Sequence, residues 1–138
     1  MWLRPTWNKL PNRSEDSTVT KWFYENDGPT GWLQYDVGSG NAWTVVRYDL
    51  SSDNDVPERD PRDWQFLGSN DGTNWSVLDT QTGQTFDSRY LTKQYSIANS
   101  AAYRYYRLNI TANNGDSTSL QLSELAPVAG TVKMFEAI

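Results

Sequence analysis

The sequence contains no cysteine and no histidine among its 138 residues. Without cysteine, the fold uses neither a disulfide nor a thiolate metal site. Without histidine, the chain lacks the usual general base of serine and cysteine hydrolases, and also the commonest zinc ligand. The chemistry of those enzyme classes is therefore not expected.

The sequence also lacks long apolar runs and clusters of positive charge. No apolar segment approaches the ~20 residues that a membrane-spanning helix needs, so membrane insertion is not predicted. The first ten residues, MWLRPTWNKL, contain no apolar h-region, and we predict no signal peptide. A net charge of −5 without a basic patch disfavours nucleic acid as a partner, because phosphate binding relies on clustered lysine and arginine.

Aromatic residues, in contrast, are abundant. The chain has seven tryptophans, eight tyrosines and four phenylalanines, which supply bulky apolar area for a core. Disordered chains are poor in such residues. The length suits one domain with a single core.

Apolar and polar residues alternate along several short segments. In residues 31–38 (GWLQYDVG), Leu33, Tyr35 and Val37 fall on one face of a strand. The same alternation occurs in residues 43–50, 63–69, 74–80, 104–110 and 120–125. No stretch of ten residues carries a helical apolar stripe. The pattern predicts an all-β fold, a β-sandwich or jelly roll with about eight main strands and little or no helix.

Turns and loops separate these segments. Residues 70–73, which contain Asp-Gly, predict a tight hairpin. Longer irregular segments occupy residues 23–31, 51–63, 80–93 and 111–119. If the strands alternate in direction, such loops converge at one end of the sandwich, where function usually resides.

Residues 54–64, NDVPERDPRDW, form a connection that is both stiff and charged. Its two prolines fix their own φ and favour extended preceding residues, so the loop loses little freedom on ordering. Carboxylate acceptors and guanidinium donors can satisfy sugar hydroxyls, which both donate and accept hydrogen bonds. We predict ligand contacts for Asp53, Asn54, Glu58 and Arg59. For Arg62 and Asp63, mutual pairing that locks the crossover is an equally good interpretation.

A family resemblance covers most of the chain. It rests on TKW (20–22), GWLQYDVG (31–38), NDVPERDPRDW (54–64), GSNDGTNWSVLDTQTG (68–83), AYRYYRLNITANNG (102–115) and LQLSEL (120–125). In these motifs the sequence resembles a coagulation factor 5/8 type C (discoidin) domain, and more narrowly the bacterial carbohydrate-binding modules of family 32. The resemblance implies a β-sandwich jelly roll that binds without turnover, so we predict no enzyme activity. It predicts a domain over residues 14–125, with an atypical arm at 1–13 and an extension at 126–138.

The resemblance implies a binding face on the loops. In sugar-binding relatives an arginine of the equivalent loop contacts the ligand, which supports Arg59, and the loop of Asn113 borders the binding face. Tyr24 is predicted to be exposed and to stack on a sugar, whereas Trp22 is predicted to be half-buried beneath its loop. Asn114 is interpreted as a turn residue, because Asn-Gly favours positive φ. Relatives often add a histidine that this chain lacks, so the resemblance does not define the sugar.

The resemblance also implies a structural Ca²⁺ site. The matching positions are Glu15, Ser17, Thr20 and Glu124. Hard cations need several oxygen ligands, from carboxylates and from correctly turned carbonyls. The family has glycine where this chain has Asp16, which adopts the left-handed conformation less readily, and this departure argues against the site.

Two hypotheses of function follow. The first is a non-catalytic carbohydrate-binding (lectin-like) module that recognises glycans through loops at one end of the sandwich. The second is a structural or adhesive subunit of a larger assembly such as a phage virion, which docks on neighbouring subunits through residues 1–13 and 126–138. Both predict a location that is extracellular or at a cell or virion surface.

Overall fold

The computed structural model describes residues 6–7, 22–24, 28–130 and 132–133. This part of the chain contains eleven strands: β1 (Thr6–Trp7), β2 (Trp22–Tyr24), β3 (Gly31–Asp36), β4 (Arg47–Ser51), β5 (Pro61–Ser69), β6 (Ser76–Gln81), β7 (Thr92–Ser96), β8 (Tyr105–Asn113), β9 (Leu120–Leu122), β10 (Glu124–Ala129) and β11 (Val132–Lys133). A single 3₁₀ turn, Pro57–Arg59, is the helical element of these residues. No helix of the described residues is long and apolar enough to cross a membrane. The predicted all-β sandwich is confirmed.

The strands form two larger antiparallel sheets and one small sheet. The first has the order β1-β3-β8-β5-β6, and the second has the order β11-β10-β4-β7. Strands β2 and β9 form the third. Neighbouring strands in space are mostly distant in sequence, so the order of elements along the chain does not reveal the sheet order.

The alternation predicted from the sequence places apolar side chains of both larger sheets in one core. Leu33 and Tyr35 of β3 and Leu108 of β8 are buried, and so are Tyr48 and Leu50 of β4. Burial of each such side chain contributes about 1.5–3 kcal/mol. The intervening residues of β3 and β8 are only half-buried, as the period of two requires.

Stacked aromatic rings connect the two sheets. The ring centroid of Tyr48 lies 4.4 Å from that of Phe66 and 5.2 Å from that of Tyr95. The Tyr48 hydroxyl accepts a hydrogen bond from Trp64 Nε1 at 2.8 Å and donates one to Asp79 at 2.5 Å. Burial, with the bond to Asp79, raises the pKa of Tyr48 far above its ordinary value. The polar ends of these buried rings are therefore satisfied.

Trp22 is more deeply buried than predicted. It retains 1% of its exposure, so the prediction of a half-buried side chain is wrong. The reason is strand pairing: β2 lies against β9, and Trp22 pairs with the buried Leu122. Trp64 is also buried, with 1% of its surface exposed.

On the outer face of the first sheet, Arg107 lies between two tryptophan rings. Its guanidinium carbon is 4.0 Å from the ring centroid of Trp32 and 4.2 Å from that of Trp75. Its Nε and Nη2 donate to Gln34 Oε1 at 3.0 and 2.6 Å. Partial burial lowers the pKa of Arg107. Both tryptophans therefore pack on the Arg107 guanidinium at the surface of the sheet.

The hairpin predicted at residues 70–73 joins β5 to β6. Asp71 Oδ1 accepts hydrogen bonds from the main-chain N–H groups of Asn74 at 2.7 Å and Thr73 at 2.8 Å. These bonds hold the pKa of Asp71 far below its usual range. Gly72 has a φ of 74°, which explains why glycine occupies this position.

The chain changes sheets at Ser123. The single strand predicted over residues 120–125 is therefore two strands, β9 against β2 and β10 against β4. Ser123 N donates to Ser51 O at 3.0 Å, and its hydroxyl donates to Ser52 O at 2.6 Å. Strand β10 runs through the domain boundary predicted after residue 125, and its residues 125–128 are buried.

Candidate functional site

Four loops meet at one end of the sandwich. They are residues 28–30, 52–60, 82–91 and 114–119, and we call them the rim. Backbone hydrogen bonds join them: Asp116 N donates to Glu58 O at 3.0 Å, and Gly28 N donates to Thr118 O at 2.9 Å. The predicted convergence of the irregular segments is confirmed.

The 52–60 loop is held rigid by more than Pro57 within it and Pro61 directly after it. Asp60, before Pro61, is extended as predicted, but Val56, before Pro57, has a φ of 41°, so the extended conformation predicted for it is wrong. β-Branched residues rarely adopt such a φ. Gln121 Nε2 donates to Asp55 O at 2.5 Å and to Asp55 Oδ1 at 3.3 Å. Gln121 is fully buried on β9, so the sandwich itself fixes the loop. The strained backbone of Val56 is thereby explained, because strain of this kind persists only where surrounding contacts fix the conformation.

Arg89 joins the two longest loops of the rim. Its Nη1 and Nη2 donate to the two carboxylate oxygens of Asp60 at 2.9 and 2.6 Å. Nη1 also donates to the main-chain carbonyls of Asp53 at 3.4 Å and Asp55 at 3.3 Å. We call the Arg89–Asp60 pair the latch. Sequence reasoning missed it, because no local pattern relates position 89 to position 60.

The two charges of the latch are largely buried, and each is stabilised by the other. The side chain of Asp60 is 2% exposed and that of Arg89 is 23% exposed. Burial raises the pKa of Asp60, although Arg89 opposes this shift. The hydrogen bond to Asp60 raises the pKa of Arg89. Removal of either partner would leave the other charge poorly compensated.

Three predicted ligand residues lie on the surface of the rim. Asn54 and Glu58 are exposed, and Arg59 is partly exposed. Arg59 Nε lies 3.3 Å from Asp116 Oδ2, and its guanidinium carbon is 4.8 Å from the ring centroid of Phe23. Hydrogen bonding, first from the Thr118 main-chain N–H, lowers the pKa of Asp116. Arg59 is thus oriented by an anion that stays charged.

The other two loop candidates with described side chains are buried. Asp53 has no exposed surface, and its Oδ1 accepts from Asn54 N at 2.7 Å. Asn113 is 5% exposed, and its Nδ2 donates to the carbonyls of Asp116 and Ser119, both at 2.7 Å. This placement differs from the expected ligand contact, because both side chains satisfy loop backbone instead. Direct contact of either residue with a ligand stays a prediction.

Asn114, Arg62 and Asp63 make intramolecular contacts, and the positive φ expected of the Asn-Gly pair falls on Gly115, not on Asn114. Asn114 Nδ2 donates to three carbonyls, those of Asp60, Pro61 and Gln84, at 3.1–3.2 Å. Arg62 Nε lies 3.4 Å from Asp63 Oδ1. Asn114 therefore braces the rim, whereas the Arg62–Asp63 contact is local to β5.

Several predicted residues lie outside the described part of the chain. They are Glu15, Ser17 and Thr20, and also the side chain of Tyr24, whose backbone lies in β2. Glu124, at the start of β10, is half-buried. Among the described residues, no group of three or more acidic side chains is placed to hold a metal ion. Calcium binding stays a prediction, as do contacts of residues 1–13 with a partner.

The rim exposes an aromatic side chain that sequence reasoning missed. Tyr90 is 46% exposed and has a φ of 56°. Its N–H donates to Asp53 O at 3.3 Å. A single tyrosine in a polar loop carries no periodic signal, so only the fold shows where it lies.

Comparison with known proteins agrees with this geometry. A family model described as "F5/8 type C domain" matches residues 3–125. The family 32 carbohydrate-binding module from Streptococcus pneumoniae EndoD has a TM-score of 0.66 at 12% identity, covering 94% of this chain and 95% of that one. CpGH89CBM32-5 from Clostridium perfringens, in complex with GalNAc-beta-1,3-galactose, has a TM-score of 0.64 at 13% identity, covering 84% of this chain and 79% of that one. At such identities the likeness shows the fold.

A curated relative matches part of the chain at higher identity. The peptide-N(4)-(N-acetyl-beta-glucosaminyl)asparagine amidase of Arabidopsis thaliana is 43% identical over 79 residues. These residues are 56% of this chain and 11% of the amidase. The chain thus spans a small part of that relative's length.

Proposed function

Because the chain belongs to the F5/8 type C domain family, we propose that it is a non-catalytic carbohydrate-binding module that holds a terminal sugar on its rim. The observation that carries this proposal is the preorganised rim. Its loops are joined by backbone hydrogen bonds and by the buried latch, and they expose Asn54, Glu58 and part of Arg59. Preorganisation lowers the free-energy cost of binding a small polar ligand.

Arg59 is the donor best placed for sugar hydroxyls. Among the described residues it uses Nε toward Asp116, so the N–H groups of its two terminal nitrogens can serve a ligand. The ion pair and the Phe23 ring restrict its rotamers, so less entropy is lost on binding. Glu58 and Asn54, which are exposed on the same loop, can supply acceptors, and Asn54 can supply further donors.

The relatives support a choice of probes. One structural neighbour was solved with GalNAc-beta-1,3-galactose, and the curated relative is named for an N-acetyl-beta-glucosaminyl substrate. We therefore propose galactose, N-acetylgalactosamine and N-acetylglucosamine termini as first ligands. A shallow rim should bind one sugar weakly, with a Kd on the order of 0.1–1 mM, and gain strength by multivalency.

A glycan array tests this function. The protein is presented multivalently, in calcium and then in EDTA. Arg59→Ala should lose most of the signal, because its donors face the proposed ligand. Arg62→Ala is the matched control, since Arg62 is an exposed arginine that pairs with Asp63. Folded wild-type protein that binds no glycan, or an equal loss in both variants, would contradict the proposal.

The same preparations test the calcium prediction. If Ca²⁺ is a structural ligand, EDTA should lower the Tm of the wild type, and added Ca²⁺ should restore it. Equal Tm values in calcium and EDTA would contradict a structural calcium site.

A further inference from the structure

Two non-glycine residues of the described chain have positive φ, and both lie on the rim. They are Val56, with a φ of 41°, and Tyr90, with a φ of 56°. Large side chains are disfavoured in this region, and strain of this kind is concentrated at ligand sites. Tyr90 therefore requires an explanation that the fold alone does not supply.

The backbone on both sides of Tyr90 is pinned to the facing loop. Ser52 N donates to Leu91 O at 3.0 Å, and Leu91 N donates to Ser52 Oγ at 3.0 Å. Ser52 Oγ in turn lies 2.8 Å from Ser88 O. Arg89, directly before Tyr90, forms the latch to Asp60. The strained conformation is thus imposed by at least four hydrogen bonds.

Core packing does not explain the tyrosine. Its side chain is 46% exposed, and it belongs neither to the buried core nor to the partly buried residues packed against that core. Glycine would adopt the same φ without strain. The fold holds a large aromatic ring outward at a position where glycine would be better for stability.

The electrostatic surroundings of the ring are negative. Tyr90 N donates to Asp53 O at 3.3 Å, and partial burial first, then the charges of Asp53 and Asp55, raise the pKa of the Tyr90 hydroxyl. The four rim loops contain six acidic residues and two arginines. Each arginine pairs with one carboxylate, Arg59 with Asp116 and Arg89 with Asp60, so the rim remains net negative. An anionic ligand would be repelled here, whereas the apolar face of an uncharged sugar can stack on the ring.

We propose that Tyr90 is the stacking surface of the rim, and that its ligand is a neutral pyranose rather than a uronate, sialate or sulfated sugar. This inference rests on the function proposed above. It assigns Tyr90 a role that costs stability and is retained for binding.

Three variants test the role of the ring. Titrations of galactose and N-acetylglucosamine give the affinity, and thermal unfolding gives the Tm. Tyr90→Gly should weaken binding by about tenfold or more while the Tm stays the same or rises. Tyr90→Phe should keep the affinity within about threefold, because the stacking face remains. Trp43→Ala is the control for loss of an exposed aromatic residue, since Trp43 is 48% exposed and lies outside the rim loops.

The charge preference is tested with a matched pair of ligands. Galacturonate should bind about tenfold more weakly than galactose at low salt, and the gap should narrow as salt screens the field. Equal binding of the two sugars would overturn the neutral-ligand inference.

The outcomes separate this inference from the proposed function. Suppose that the wild type binds sugar and Arg59→Ala does not. If Tyr90→Gly then binds sugar as tightly as the wild type, the proposed function stands and the role of Tyr90 is overturned. A Tyr90→Gly domain with a clearly lower Tm would show a structural role and also overturn it. Wild-type protein that binds no sugar would overturn both.

Discussion

Replacement of Arg89 by alanine should destabilise this domain strongly, although arginine is usually a tolerant surface residue. The change removes all five hydrogen bonds that Arg89 donates to the rim. It leaves the Asp60 carboxylate, which is 2% exposed, without its cation. Breaking a buried pair by removing one partner costs about 3–5 kcal/mol.

We expect the lower end of that range, because Arg89 retains 23% of its exposure. A loss of about 3 kcal/mol in the free energy of unfolding corresponds to a fall in Tm of roughly 10 °C for a domain of this size. Urea unfolding followed by tryptophan fluorescence measures it. Arg62→Ala provides the control, because Arg62 is 47% exposed and should shift the midpoint little.

The penalty should also depend on pH. Burial already raises the pKa of Asp60, and loss of Arg89 removes the group that opposes this shift. The folded variant then binds a proton more tightly than the unfolded chain does, so its deficit relative to wild type should shrink as the pH falls through the raised pKa toward the ordinary aspartate value near ~4. A loss below about 1 kcal/mol at pH 7 would refute the reasoning, as would a deficit that grows on acidification.

Three further predictions concern other parts of the fold. Arg107→Lys should lower the free energy of unfolding by about 1 kcal/mol, because a lysine ammonium cannot stack as a planar guanidinium does on the rings of Trp32 and Trp75. An unchanged urea unfolding curve would contradict this prediction. The pKa of Asp71 is lowered, first by the hydrogen bond from the Asn74 main-chain N–H. The ionised Asp71 carboxylate therefore stabilises the fold fully above the ordinary aspartate pKa near ~4, and this contribution is lost as the pH falls below that value. Asp71→Asn should therefore flatten the acid limb of a stability curve, and an unchanged limb would show that the turn does not contribute. Gly68→Ala would place a Cβ 2.5 Å from the Tyr103 ring and should lower the free energy of unfolding by about 1–3 kcal/mol. Tyr103→Leu in the same chain should recover part of this loss. Unchanged stability of Gly68→Ala alone would disprove the clash.

Parts of the site could be predicted because they depend on neighbours in sequence. The stiffness of the 52–60 loop was predicted from Pro57 and from Pro61, which follows it, and Asn54, Glu58 and Arg59 do lie on the surface of the rim. Asp53 and Asn113 are of the same chemical types, yet they are buried and bind loop backbone. Composition cannot separate the two cases, because a polar loop residue can face either solvent or its own carbonyls.

Long-range register explains what sequence reasoning missed. The latch joins positions 29 residues apart, and Tyr90 is presented by a loop whose conformation depends on Ser52. The switch of sheets at Ser123 likewise depends on hydrogen bonds to β4 and its following residue. None of these partners is adjacent in the chain, so no local pattern specifies them.

Local features of the sequence are enough to predict the class of fold, the faces of β3 and β8, the 70–73 hairpin and the stiffness of the charged loop. These features follow from a period of two, from turn chemistry and from fixed proline φ angles, all of which act over a few residues. The assembled sheets, in contrast, set which loops meet, which arginine is latched and which tyrosine faces outward. Those outcomes depend on antiparallel pairing of distant strands, and the free energy of that pairing resides in contacts that form only when the sheets assemble.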